Sequence, residues 1–179
     1  MSGKQPGKTI LLDADVIIHF MKGDKILKLA GIFPHRLAVL DVVKDEVCKW
    51  HSRIAMFDLF VRSTKVPVIP FPTGDIEIFK EYAFLLKSFG PGESACMAYA
   101  RYKKNIIASS NLKDIKEYCE HNGIKYLTTM AVLAEAINGK IMDAKECNKF
   151  IAEVKSKGSK LPFDTIEEYM ASPEYQPFE

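Results

Sequence analysis

Three carboxylates stand where an acidic side chain can do chemistry. Asp13 closes the short apolar run Thr9-Ile-Leu-Leu12 and is followed by Asp15 and a second aliphatic triplet. Glu46 lies in the helical segment after another apolar run, and Glu93 comes directly after Gly90-Pro-Gly92. Asn111, just past the run Asn105-Ile-Ile-Ala-Ser109, adds an amide oxygen. No His or Cys stands at ligand spacing to another. A set of oxygens without nitrogen or sulfur suits a hard cation, and Mg²⁺ or Mn²⁺ takes such ligands while keeping bound water. An ion held this way can activate water and neutralise the charge that grows on a phosphodiester. Each acid also has a plainer role: Asp13 as a helix cap, Glu46 as a solvated shoulder residue, and Glu93 as a charge at the positive end of a helix dipole. No serine-nucleophile motif, P-loop or dinucleotide glycine pattern competes.

The elements that must position these groups alternate between strand and helix. Ile10-Leu-Leu12, Arg36-Leu-Ala-Val-Leu40, Asn105 to Ser109 and Ile124-Lys-Tyr-Leu-Thr128 are short, bounded and aliphatic, as expected for strands covered on both faces. Lys65-Val-Pro-Val-Ile-Pro-Phe71 is extended, and its prolines suit a sheet edge. Between the strands the spacing predicts helices: Lys25 to Gly31, Asp75 to Ser88, a helix starting at Glu93, one from Ser110 or Asn111 to Gly123, and one from Thr129 to Asn138-Gly139. Val43, Val47, Trp50, Ile54, Phe57 and Val61 recur at steps of four and three, which predicts one long helix with a continuous buried stripe. Two further helices, about Asp143 to Lys155 and Asp164 to Met170, close the chain. The expected architecture is a three-layer α/β/α sandwich around a central parallel sheet, with the acids gathered on or near its carboxyl edge.

At 179 residues, with 47% hydrophobic and 27% charged content, the chain is sized for one globular domain. Its net charge of +2 neither demands nor excludes an anionic partner. No run approaches the roughly 18 apolar residues of a membrane span, and residues 1–8 read as a loose, disordered lead-in without a signal-peptide core. Cys48, Cys96, Cys119 and Cys147 are far apart, each in a predicted helix, and read as buried free thiols in a reducing cytoplasm. The four histidines receive no role.

In its motifs the sequence resembles the PIN-domain nucleases. The likeness rests on Leu11-Leu-Asp-Ala-Asp-Val16, Val43-Lys-Asp-Glu-Val47, Gly90-Pro-Gly-Glu-Ser-Ala95, Ile106-Ile-Ala-Ser-Ser-Asn111 and Asn122-Gly-Ile-Lys-Tyr-Leu-Thr-Thr-Met-Ala-Val-Leu133. It runs from about Thr9 into the C-terminal helices, so that residues 9–140 would form a PIN-like domain with residues 141–179 packed on it. Lys157-Gly-Ser-Lys-Leu-Pro162 resembles the tail of one prokaryotic branch. The resemblance implies a metal-dependent endoribonuclease in which Asp13, Glu46 and Glu93 match the family's first three acids. The metal ligands would be Asp13, Glu93 and the fourth-position residue. Relatives most often carry Asp at that fourth position, where this chain has Asn111, and Asp114 one turn along is the alternative ligand. Many small prokaryotic members are toxins, so an antitoxin or other protein partner, or a homodimer, joins RNA among the expected partners.

Two other readings compete. One is a PIN-like scaffold that has lost catalysis and binds RNA or protein. The other is a phosphatase of the haloacid-dehalogenase type, with Asp13 as nucleophile and Asp15 as acid, although no later paired-acid motif follows Ser109. Lys44, Lys49 and Arg53 can line the Glu46 helix, Arg101, Lys103 and Lys104 end the Glu93 helix, and Lys113 and Lys116 follow Asn111. Such cations could meet a phosphate backbone; Lys44 and Lys113 are the expected substrate contacts.

Overall fold

The computed structural model describes residues 7–178, apart from the side chains of Leu112 and Asp114. The expected lead-in lies almost wholly outside the described residues. In chain order the elements are β1 (Ile10–Leu12), α1 (Ala14–Lys22), α2 (Ile26–Ile32), β2 (Leu37–Leu40), α3 (Asp41–Val47), α4 (His51–Thr64), β3 (Val68–Ile69), α5 (Ile76–Leu85), α6 (Pro91–Lys103), β4 (Ile106–Ala108), α7 (Leu112–Asn122), β5 (Tyr126–Leu127), α8 (Thr129–Asn138), α9 (Ala144–Ser156) and α10 (Ile166–Ala171). The five strands form one parallel sheet in the order β3-β2-β1-β4-β5, flanked by helices in a three-layer α/β/α sandwich. Leu11 of the central strand pairs with Ala38 on one side and Ile107 on the other. β1, β2 and β4 are buried at every residue, which is why they read as unbroken aliphatic runs rather than alternating ones.

β3 is only two residues long, between Pro67 and Pro70, and sits at the sheet edge where a missing N–H does least harm. The C-terminal helices belong to the same body: α9 packs on α1, with the Phe20 and Phe150 rings 4.8 Å apart, and α10 packs on α8 and α9. Both carry capping boxes, Asp143 with Glu146 and Thr165 with Glu168. Among the described residues no helix is long and apolar enough to cross a membrane.

Two local features differ from the sequence expectation, and both affect the site. The long helix after β2 is broken. The Cys48 amide still reaches the Lys44 carbonyl, but the Lys49 amide tightens onto Glu46 at 3.4 Å, and Trp50 adopts an extended backbone that starts α4. The break resets the stripe. Val43 and Val47 are buried before it and Phe57 and Phe60 after it, while Trp50 is turned out, 65% exposed. The second difference is the start of α6, which begins at Pro91 rather than Glu93. Proline has no N–H to lose at the first helical position and its φ is already helical. The helix therefore begins early, and Gly92 lies inside its first turn.

Candidate functional site

The strand order reverses direction between β1 and β4, and open α/β sheets bind their ligands outside the carboxyl ends of the strands at such a point. Asp13 is the first residue past β1 at this place and is 3% exposed. Its backbone amide continues the sheet by bonding the Ala108 carbonyl at 2.9 Å. Its Oδ1 accepts the Ala14 amide at 2.8 Å, so Asp13 is the N-cap of α1, and the Ser109 side chain from β4's end also bonds it. The capping role and the site role thus coexist in one carboxylate.

Glu46 does not face open water. Its Oε2 accepts the Gly92 amide at 3.2 Å, across the packed pair α3 and α6. Gly92 is where the two acids meet: a β-carbon built there would lie 2.4 Å from Glu46 Oε2 and 3.4 Å from Asp13 Oδ1. The two oxygens therefore flank one point, and only a residue without a side chain leaves it open. Glu93, the next residue, is held through Oε1 by the Asn111 amide nitrogen at 2.5 Å. Asn111 occupies the N-cap of α7 but makes no capping bond with its side chain, which crosses instead to Glu93. The Asp114 side chain, the alternative ligand expected from the sequence, lies outside the described residues.

Asp15, which the metal-site reading passed over, belongs to the same cluster. Its carboxylate accepts the Val16 amide at 2.6 Å and the Ser110 amide at 2.8 Å, tying α1 to the loop after β4. Burial pushes the Asp13 carboxyl well above its ordinary range, and the neighbouring Asp15 and Glu93 charges add to this against the Ala14 and Ser109 hydrogen bonds. Burial likewise raises Asp15 to about 6, with Glu93 contributing and backbone donors opposing. The Cys96 thiol under the cluster is pushed well up, first by burial and then by Asp13, Asp15, Glu46 and Glu93 together. Buried and held in its protonated form, it is an inert thiol.

Behind Asp15 runs a chain of buried polar groups. The Ser110 hydroxyl donates to Thr129 Oγ1 at 2.6 Å and accepts the Thr129 amide at 2.9 Å; Thr129 Oγ1 lies 2.8 Å from His19 Nδ1. His19, 6% exposed, is lowered to about 4 by burial and the nearby Lys22 charge and is neutral at pH 7. The sequence held little sign of this network, because its members lie 110 residues apart for His19 and Thr129.

Opposite pH dependences follow for Asp15 and His19. Asp15 has a folded pKa of about 6 against 3.8, so its stabilising protonated form is fully present below 3.8 and is lost as pH rises through 6. His19 has a folded pKa of about 4 against 6.5, so its contribution is present above 6.5 and fades as pH falls toward 4. The two partly cancel in the wild type. Comparing urea midpoints at pH 5 and pH 7 for metal-free wild type and Asp15→Asn should show the variant gaining on the order of 1 kcal/mol relative to wild type at the higher pH. Equal differences at both pH values would mean that Asp15 is solvated.

The cations sort into two groups. Arg101 is bound to Glu81 at 2.8 Å and Lys103 to Asp75 at 3.5 Å, which tie α6 to α5, while Lys116 pairs with Glu120 at 4.0 Å within α7. Lys44, Lys49 and Arg53, on α3, the turn after it and α4, make no ion pair with any described carboxylate; Lys44 and Lys49 are exposed, as is Lys113. A large cleft of about 660 Å³ lies elsewhere, between β5 and the C-terminal tail, lined by Tyr126, Tyr169 and Phe178 among others. It holds none of the clustered acids.

No family model and no curated protein matches the chain. Among the described residues, no three Asp, Glu, His or Cys side chains stand close enough to form a ready-made metal cage. The donor chemistry nonetheless fits a hard cation. Mg²⁺ commonly binds one or two carboxylates and keeps several waters, and Asp13 with Glu46 across Gly92, beside Glu93, supplies oxygens of that type.

Proposed function

We propose that this chain is a cytoplasmic, PIN-type endoribonuclease that hydrolyses RNA phosphodiesters with Mg²⁺ or Mn²⁺ bound by its carboxylates. The observation that carries the reading is the convergence of Asp13 and Glu46 on the bare backbone of Gly92, at the reversal point of a parallel sheet. Burial raises the Asp13 and Asp15 carboxyls, and the neighbouring acid charges add to it, a repulsion that a cation among them would relieve. Asp13 and Glu93 would hold the ion, with the Asn111 amide as neighbour. The cation would supply charge neutralisation and a more acidic water. The protein's own groups do the positioning. Ala14 and Ser109 orient Asp13, the Gly92 amide fixes Glu46, and Asn111 fixes Glu93. Glu46 or Glu93, half-exposed at the rim, can accept the proton of water attacking phosphorus while the electron pair of the breaking P–O bond stays on the leaving ribose oxygen, which takes a proton from solvent.

The test is cleavage of single-stranded RNA by purified protein. Cleavage should require Mn²⁺ or Mg²⁺ and stop with EDTA; cleavage indifferent to EDTA would refute the reading. Turnover of p-nitrophenyl phosphate in its place would favour the phosphatase.

One observation favours a second reading, a weakened PIN-like module that binds RNA or a protein partner such as an antitoxin. Asn111 brings no charge and engages the Glu93 oxygen. Asn111→Asp would set carboxylate against carboxylate there. Metal-free protein should melt lower and the Mn²⁺-induced rise in melting temperature should grow, following RT ln(1 + [L]/Kd). Melting curves of both proteins with and without Mn²⁺ decide it; an unchanged shift would remove Asn111 from the site.

A further inference from the structure

We propose that Trp50, with Arg53, Lys49 and Lys44, forms a stacking subsite for an unpaired base of single-stranded RNA next to the acidic cluster. This rests on the nuclease reading above and extends it to how the substrate is held. Trp50 is the only tryptophan in the chain. It falls at a position where the apolar spacing would bury it, yet the break between α3 and α4 leaves it 65% exposed. The Arg53 guanidinium stands 6.0 Å from the ring centroid and leaves the ring largely open.

Charge selects the occupant. Lys44, Lys49 and Arg53 have no ion-pair partner among the described carboxylates, whereas Arg101, Lys103 and Lys116 do. Of the four acids over residues 41–62, Asp41 is turned onto the Val42 and Phe71 amides and Glu46 onto the Gly92 amide, which leaves Asp45 and Asp58 against Lys44, Lys49, Arg53 and Arg62. A second copy of the chain would bring like charges together at this face, while a polyanion would be drawn to it. Sequence-tolerant binding of single strands combines a cationic track with aromatic rings on which bases stack. The position is also right. Trp50 follows Glu46 by four residues, so their backbones lie no more than about 14 Å apart even for an extended chain, and the Lys49–Glu46 turn shortens that.

Because Trp50 is the sole tryptophan, its fluorescence reports the subsite directly. Metal-free protein in EDTA, titrated with short oligouridylate, should show saturable quenching. Trp50→Ala should weaken binding of labelled oligouridylate, read by anisotropy, by roughly tenfold or more, and Trp50→Tyr should recover most of it. Polyphosphate, which has charge but no bases, should bind Trp50→Ala and wild type alike. Under Mn²⁺, Trp50→Ala should raise KM for RNA more than it lowers kcat. Oligouridylate binding that leaves the fluorescence unchanged, or an Ala variant that binds as wild type, would overturn the subsite. A fluorescence shift driven by protein concentration alone would overturn it in favour of self-association. Quenching without any RNA cleavage would uphold the subsite and sink the nuclease reading, and cleavage without quenching would do the reverse.

Discussion

Gly92→Ala should cut RNA cleavage by about 100-fold while leaving the fold as stable as before or slightly more so. The added methyl would meet Glu46 Oε2 at 2.4 Å and Asp13 Oδ1 at 3.4 Å. The end of a glutamate side chain is free to swing, so the cost falls on Glu46's position rather than on the backbone. A misplacement of about 1 Å in a reacting constellation is enough for a loss of about 100-fold. Stability moves the other way, since alanine is favoured over glycine inside a helix by about 0.5–1 kcal/mol, which for a chain of this size is about 2–4 °C in melting temperature per kcal/mol. Lost activity with retained or raised melting temperature is a signature that general misfolding does not produce. Wild-type cleavage by Gly92→Ala would mean that the point between the two acids is not where the reaction occurs.

Asp13→Asn should remove cleavage almost completely, by roughly 100- to 1,000-fold, and should raise the melting temperature of the metal-free protein. The asparagine oxygen can still cap α1 through the Ala14 amide, so the local fold is kept. What goes is a buried charge that desolvation and the Asp15 and Glu93 charges disfavour. The metal-dependent rise in melting temperature should vanish as well. For wild type at an Mn²⁺ concentration of about 100 Kd it corresponds to about 2.7 kcal/mol. A variant that melts lower without metal would place Asp13 in a solvated cap instead.

Much of the fold was legible because each core strand is a short aliphatic run ended by a polar residue, and such runs need covering on both faces. Asp13 stood out for the same reason: a charge closing a buried strand is costly unless something meets it. Other features are set by tertiary contacts that spacing does not encode. Trp50 fits the helical stripe in sequence, but the turn at Cys48 to Lys49 takes it out of the helix. Asn111 has the composition of a cap, yet its amide crosses 18 residues to Glu93. His19 and Thr129 are ordinary residues until α1 and α8 bring them together. Gly92 stands just before the helix start expected at Glu93, and its role emerges only once Glu46 and Asp13 are found within reach of it.

The most direct test of the carboxylate centre is a crystal of the protein soaked in Mn²⁺ and measured at the manganese edge. An anomalous peak should appear between Asp13 and Glu93, next to Gly92, and should be missing from Asp13→Asn crystals treated alike. A peak that persists in Asp13→Asn, or manganese bound only at other acids while RNA cleavage proceeds, would contradict the account.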